Sequence, residues 1–284
     1  MSSLREVKDR IASVRSTLKI TSAMKLVASS KLRKVQRTVE SLRPYEEELG
    51  GILSSVLSAG ASIAAPPVQE DRKARTVLLA FAGNSSMCGA FNANAVRKVH
   101  EFLANAGDDV EIWAFGRKMA DALRKSGRPC AKDCSGIVAQ PSFGAVAELA
   151  RELQERYLSG EISEVHLVYN HFVSTGHQKV VSERWLPFEP ERSKAGQAHD
   201  TDLYILEPGA GQLAESLLPQ VLNLRLYAAL LDSTASENAA RMIAMQAATD
   251  NGEELLAELS LEYNKGRQYK ITSEILDLAG AAQN

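Results

Sequence analysis

Phosphate chemistry needs a loop whose backbone amides and lysine can cradle an anion. The segment nearest to that need is Gly83–Gly89, GNSSMCG. It lacks the lysine and the hydroxyl residue that complete a G-x-x-x-x-G-K-[ST] loop. Lying between a β-rich run and a helical one, it reads as a tight strand-to-helix turn, with a backbone nest for an anion as the alternative. Gly209-Ala-Gly211-Gln-Leu-Ala fits the G-x-G-x-x-G/A form. A dinucleotide site also needs a second strand within about thirty residues, carrying an acid for the ribose. Here a helical pattern runs on to the chain end, so the match reads as accidental. Neither HExxH nor GxSxG occurs, so the motifs of zinc proteases and of the nucleophile elbow are missing. His166, His171 and His177 gather around one strand end, with carboxylates scattered elsewhere. Cys88, Cys130 and Cys134 are an odd number and read as free thiols in a reducing compartment. Cys130 and Cys134, with no histidine nearby, make a poor zinc site. No catalytic, cofactor-binding or metal-ligating residue is therefore expected, and the chain reads as a structural or mechanical component.

Composition narrows the class further. The 284 residues carry 33 basic and 35 acidic side chains, a net charge of −2, with 45% hydrophobic and 24% charged residues. That excludes disordered and collagen-like chains. The near-neutral total hides polarity, because residues 1–43 carry eleven basic and three acidic side chains. The balance is +8 there, −5 over residues 44–212 and −5 over residues 213–284. No apolar run reaches the roughly eighteen residues of a membrane span. The basic, serine-bearing start resembles a presequence, but Glu6 and Asp9 and the unbroken apolar pattern argue for mature structure.

Three segments must carry whatever the chain does. Leu4, Val7, Ile11, Val14 and Leu18 alternate steps of three and four, the spacing of a coiled-coil seam. The same heptad continues through Leu32, Val35, Val39, Leu42, Leu49, Leu53 and Val56. Between these stretches the seam holds Thr21, Lys25 and Ala28, while Ile20, Met24 and Val27 shift the apolar stripe to a neighbouring face. Pro44 is expected to bend or interrupt this helix. The expected organisation is an N-terminal coiled-coil helix over 1–58, a linker over 59–74, a central α/β domain over 75–207 and a C-terminal coiled-coil helix over 208–284. In the α/β domain, TVLLAFA, VEIWAF and EVHLVYN alternate with helical stretches and predict a mostly parallel sheet. QKVVSERWLP and DLYILEP predict further strands in a hairpin or at an edge. The last segment reads as helix, with seam residues Leu217, Val221, Leu224, Ala228 and Leu231, and again Ile271, Ile275, Leu278 and Ala282. Gly252 and Gly266 each cost such a helix about 1 kcal/mol against alanine, so close approach of another surface is one reason for them. The fold expected is α/β plus an antiparallel two-helix coiled coil, its terminal helices flanking a Rossmann-like domain.

The terminal residues carry a resemblance. RIASVRSTLKITSAMKLVASSKLRKVQ, and SENAARMIAMQAATDNGEELLAELSLEYNKGRQYKITSEILDLAGAA, closely resemble the N- and C-terminal signatures of the gamma subunit family of F-type ATP synthases. MCGAFN is similar to the family's central strand-to-helix motif, whereas Asn84-Ser85-Ser86 departs from its acidic-basic-glycine run. The resemblance implies a central rotor shaft turning inside three alpha and three beta subunits, standing on the c ring beside the epsilon subunit. Proton flow would drive ATP synthesis on the beta subunits, and hydrolysis would reverse it. No cofactor is implied in this chain, since magnesium nucleotide belongs to its partners. Met24 and Lys25, with Arg267 and Gln268 nearby on the second helix, are implied as rotor–stator contacts. Ile271, Ile275 and Leu278 are implied as an apolar bearing tip. By residue type alone, the first set reads as solvated helix face and the second as coiled-coil core.

Other classes fit parts of the pattern. The basic N-terminus suits a nucleic-acid-binding helix, but no aromatic residue precedes Tyr45 to stack on bases, and no nucleic-acid partner is expected. A nucleotide-using α/β enzyme and a tethering coiled coil are the remaining readings. The expected location is the cytoplasmic face of a bacterial inner membrane, with membrane contact only through the c ring.

Overall fold

The computed structural model describes residues 4–59, 75–107, 109–189, 206–207 and 209–281. Eleven elements follow in order: α1 (Leu4–Ser58), β1 (Arg75–Phe81), α2 (Phe91–Ala106), β2 (Val110–Phe115), α3 (Arg117–Lys125), β3 (Lys132–Asp133), α4 (Ser135–Ala139), α5 (Phe143–Leu158), β4 (Ile162–Ser174), β5 (His177–Leu186) and α6 (Ala210–Ala281). The expected linker and most of the strand expected at DLYILEP lie outside the described residues; Leu206 and Glu207 are not in a strand. The two-residue β3 and the five-residue α4 are too short to leave a periodic signal in the sequence.

The chain packs as two units, one of residues 1–29 with 241–284 and one of residues 30–240. Packing therefore cuts both long helices, where the sequence pattern divides the chain at 58, 74 and 207. In the larger unit the sheet order is β3-β2-β1-β4-β5. β1 pairs in parallel with β2 and β4, and β2 with β3, while β5 closes the edge antiparallel to β4. Parallel strands are covered on both faces and read as continuous apolar runs. In β1, Val77, Leu79 and Phe81 face a core shared with α5 and α6, through Leu153, Leu222, Leu226 and Leu230. Leu78 and Ala80 face the opposite core, with Val99 and Leu103 of α2 and Met119 and Leu123 of α3. A third cluster joins Leu49, Leu53 and Val56 of α1 to Ala214, Val221 and Leu224 of α6. Residues 226–239 of α6 are buried on almost every side, which makes them core rather than coiled-coil shell.

Pro44 does not interrupt α1. Its ring is exposed, and the seam residues Leu42, Leu49, Leu53 and Val56 around it are wholly or partly buried. Tertiary packing here outweighs a local cost of roughly 3 kcal/mol.

In the smaller unit, three contacts set the register of α1 against α6. Thr21 and Thr249 share a hydroxyl hydrogen bond of 2.9 Å. Leu18 packs on Gly252, where an added Cβ would lie 2.7 Å from Leu18 Cδ2, and Leu4 packs on Gly266, where it would lie 3.0 Å from Leu4 Cδ2. Each step back along α1 is matched by an equal step forward along α6, so the pairing is antiparallel and unslipped. The same register sets Val14 level with Leu256, Ile11 with Leu259 and Val7 with Tyr263. Gly252 and Gly266 are thus holes that receive leucine knobs. The seam also keeps its course through Thr21 and Ala28, both buried, whereas Ile20 and Val27 are more than half exposed. The buried face follows the heptad spacing; of the displaced apolar residues, Ile20 and Val27 face outward and Met24 is half-buried.

One polar cluster braces the sheet's outer side. Arg156 grips Glu111 with two hydrogen bonds of 3.0 and 2.8 Å, and Trp113 Nε1 donates to the same carboxylate at 2.7 Å. The Arg156 hydrogen bond is the main cause that holds the Glu111 carboxyl below the usual range, against the cost of burial. A depressed carboxyl contributes stability above its ordinary pKa and loses it as pH falls.

Two outcomes are expected. Gly252→Leu overpacks the hole and costs about 1–3 kcal/mol, and a second change, Leu18→Ala, recovers most of that loss in thermal unfolding. Glu111→Gln costs about 1.5–3 kcal/mol at neutral pH, and the difference from wild type shrinks below about pH 4 in urea titrations.

Candidate functional site

In doubly wound sheets ligands sit beyond the carboxyl ends of the strands, where the order of connections reverses. Here β1 connects to β2 on one side and lies beside β4 on the other, so the loop 82–90 occupies that place. Several of its polar groups bond within the chain itself. Gly83 N donates to Asn92 Oδ1 at 2.9 Å, Arg117 N donates to Asn84 Oδ1 at 2.9 Å, and Asn84 Nδ2 donates to the Ser135 carbonyl at 3.0 Å. Asn92 Nδ2 reaches the Ser85 carbonyl and Cys88 Sγ. Asn84 therefore clips the starts of α3 and α4 to the end of β1, a structural role for the residue that departs from the family run.

A buried carboxylate lies against the same loop. A Cβ on Gly83 would lie 2.8 Å from both Cδ and Oε1 of Glu237, which is 8% exposed. α6 thus lays one of its own acids against this loop. Nothing local in the sequence marks Glu237, a helical glutamate, as facing a loop 154 positions away. Beside it, Gly116 holds φ at +109°, and a Cβ there would lie 2.1 Å from the Ala82 carbonyl oxygen.

The histidines do not converge on one point. His166 Nε2 sits 2.8 Å from Glu164, His171 Nδ1 sits 2.5 Å from Asp232, and His177 begins β5 opposite Ser174. Among the described residues, no group of three or more His, Cys, Asp and Glu is placed to hold a metal ion. The three cysteines carry free thiols, and burial pushes the Cys134 thiol up to about 11.

The implied contact residues lie in the smaller unit. Met24 and Lys25 are half-buried, and Lys25 occupies a seam position. Arg267 and Gln268 are exposed on α6. The structure separates these pairs: Arg267 follows the residue level with Leu4, about 30 Å along the helices from Met24. The expectation that they lie near one another is corrected by the antiparallel register. Ile271, Ile275 and Leu278 lie beyond the level of Leu4 and are 47%, 60% and 72% exposed. They are not coiled-coil core, since the described part of α1 ends before reaching them. Tyr269 and Leu276 extend this exposed apolar end, and Ile20, Leu26 and Val27 form a second exposed apolar group on α1. Apolar groups of this kind on a helix surface call for cover by another molecule. The basic side chains of Arg5, Lys8, Arg10, Arg15 and Lys19 also point outward.

No helix among the described residues is long and apolar enough to cross a membrane. A family model described as ATP synthase matches residues 3–284. Relatives named ATP synthase gamma chain include that of Bacteroides thetaiotaomicron, 42% identical with 99% of each chain covered. That of Flavobacterium johnsoniae is 38% identical, covering 100% of this chain and 99% of the relative. Among solved structures, a chain in the Euglena gracilis mitochondrial ATP synthase assembly of OSCP, F1 and c-ring has a similar fold, with a TM-score of 0.69 at 20% identity, covering 99% of this chain and 93% of that one. A chain in the Tetrahymena thermophila mitochondrial ATP synthase central stalk and c-ring gives 0.58 at 24% identity, over 81% and 99%. A match of this length, running through both helical ends and the sheet between them, means that the chain belongs to the ATP synthase gamma chain family.

Proposed function

We propose that the chain is the central shaft of a proton-translocating F-type ATP synthase, turning within three alpha and three beta subunits. The observation that carries this reading is the full-length membership of the gamma chain family, joined to a helix pair whose off-seam apolar residues Ile20 and Val27 face outward. Rotation transmits work only if the shaft presents different surfaces in different directions. Around the helix pair, apolar Ile20, Leu26 and Val27 alternate with outward cations of α1, so a rotating surface changes what a fixed neighbour meets. The chain itself performs no chemistry in this reading, and magnesium nucleotide is held and turned over by the beta subunits. Met24, Lys25, Arg267 and Gln268 touch the surrounding subunits at two separate levels. Ile271, Ile275 and Leu278 turn in an apolar sleeve as the bearing. The larger unit meets the epsilon subunit and the c ring, and through that ring alone the membrane, on the cytoplasmic face of a bacterial inner membrane.

Co-purification tests the assembly. An ATPase-active complex containing alpha- and beta-type subunits is expected, whereas a homodimer with no such subunits rejects the shaft. Within that complex, Met24→Lys places a new ammonium within reach of partner carboxylates. It is expected to lower the protons pumped per ATP hydrolysed in reconstituted vesicles while hydrolysis continues; unchanged pumping removes the contact role. Ile275→Ser with Leu278→Ser is expected to weaken retention of the chain by the alpha/beta ring in gel filtration, with little change in the chain's own melting temperature.

A further inference from the structure

We propose that His171 and Asp232 form a proton-operated clasp joining the β4–β5 hairpin to α6. The two side chains meet at 2.5 Å, Nδ1 to Oδ2. Other ties hold the same hairpin through groups that do not change charge near neutrality, and the Phe172 amide adds a hydrogen bond to Asp232 itself. Trp185 Nε1 donates to the Leu222 carbonyl at 3.1 Å, and Ser236 Oγ donates to the Asn170 carbonyl at 3.0 Å. Asp232 and Ser236 sit one helical turn apart, so adjacent residues of β4 are held by adjacent turns of α6. His171 with Asp232 is a tie whose strength can follow pH.

The surroundings set the direction of the response. The pair lines a cavity of about 180 Å³. The charged groups facing it are Arg43 and Glu46 from α1, Glu183 from β5 and Arg225 from α6, with Tyr169 from β4. With a neutral imidazole, three carboxylates face two guanidiniums. An imidazolium balances the set, so proton uptake draws His171 onto Asp232 and proton release weakens the tie. The His171 side chain is 42% exposed and Asp232 13%, so solvent reaches the imidazole while the acceptor is largely buried.

Asp232 is also kept charged at a cost. Burial raises its carboxyl above the ordinary value, against the opposing charge and hydrogen bond of His171, the Arg43 charge and the Phe172 amide. A carboxyl raised in the folded state lowers stability as pH climbs through its ordinary value. Ionised Asp232 is thus held at a cost of burial that His171, Arg43 and the Phe172 amide only partly offset.

The test is a double-mutant cycle of Asp232→Asn and His171→Gln in the full chain, read by chemical unfolding near pH 5.5 and 8.5, on either side of the ordinary histidine value. The coupling is expected to reach about tenfold in the folding constant at the lower pH and to fall by at least threefold at the higher. Hydrogen exchange supplies a second reading. Protection of amides 172–180, corrected for intrinsic rates, is expected to rise on acidification in wild type and to stay flat in His171→Gln. Coupling that is absent, or that does not decline as pH rises, overturns the clasp, as does identical protection in wild type and variant.

Discussion

Everything in the smaller unit depends on one constraint, the unslipped antiparallel register between α1 and α6. Two leucines fit two glycines, and a threonine pair meets between the helices. A shift of one seam position would set Leu18 against a residue with a side chain and leave Gly252 as a gap. Glycine in a helix is unfavourable by about 1 kcal/mol relative to alanine. That cost is offset by close packing around the leucine, so the interaction specifies position as much as it stabilises. Once register is set, the surface is set too. Lys25 is held at the seam, Ile20 and Val27 are turned outward, and Ile271, Ile275 and Leu278 are carried past the described start of α1.

The larger unit solves a different problem with the same two helices. A parallel sheet needs cover on both faces. α2 and α3 supply one face, while α5 and the first part of α6 supply the other. The long C-terminal helix is therefore enclosed over residues 226–239 and open beyond them, and its polar residues there take structural work. Ser236 ties β4, Asp232 meets His171, and Glu237 stands against Gly83.

Much of this was legible in residue types and spacing. The heptad of α1 predicted a helix, and the continuous apolar runs predicted β1, β2 and β4, because each pattern expresses a local backbone period. The same periodicity, followed through Thr21 and Ala28, tracked the buried face better than hydrophobicity did at Ile20 and Val27. The interruption expected at Pro44 does not occur for a related reason: a local penalty says nothing about the packing on either side of it. The separation of Met24 from Arg267 was also out of reach, since signature segments share a family without sharing a level along the helices.

Residue order alone was enough for the long helices, for β1, β2, β4 and β5, and for the family, since helical and strand periods and dense motif matches are properties of neighbouring residues; the two-residue β3 and the five-residue α4 lay below that threshold. Only the tertiary structure decided the register, the cut of both helices into two packing units, the facing of Glu237 on Gly83 and of Asp232 on His171, and the exposure of the apolar end. Each of these joins residues far apart in the chain. Their relation rests on which surfaces exclude water together, and no local spacing records that.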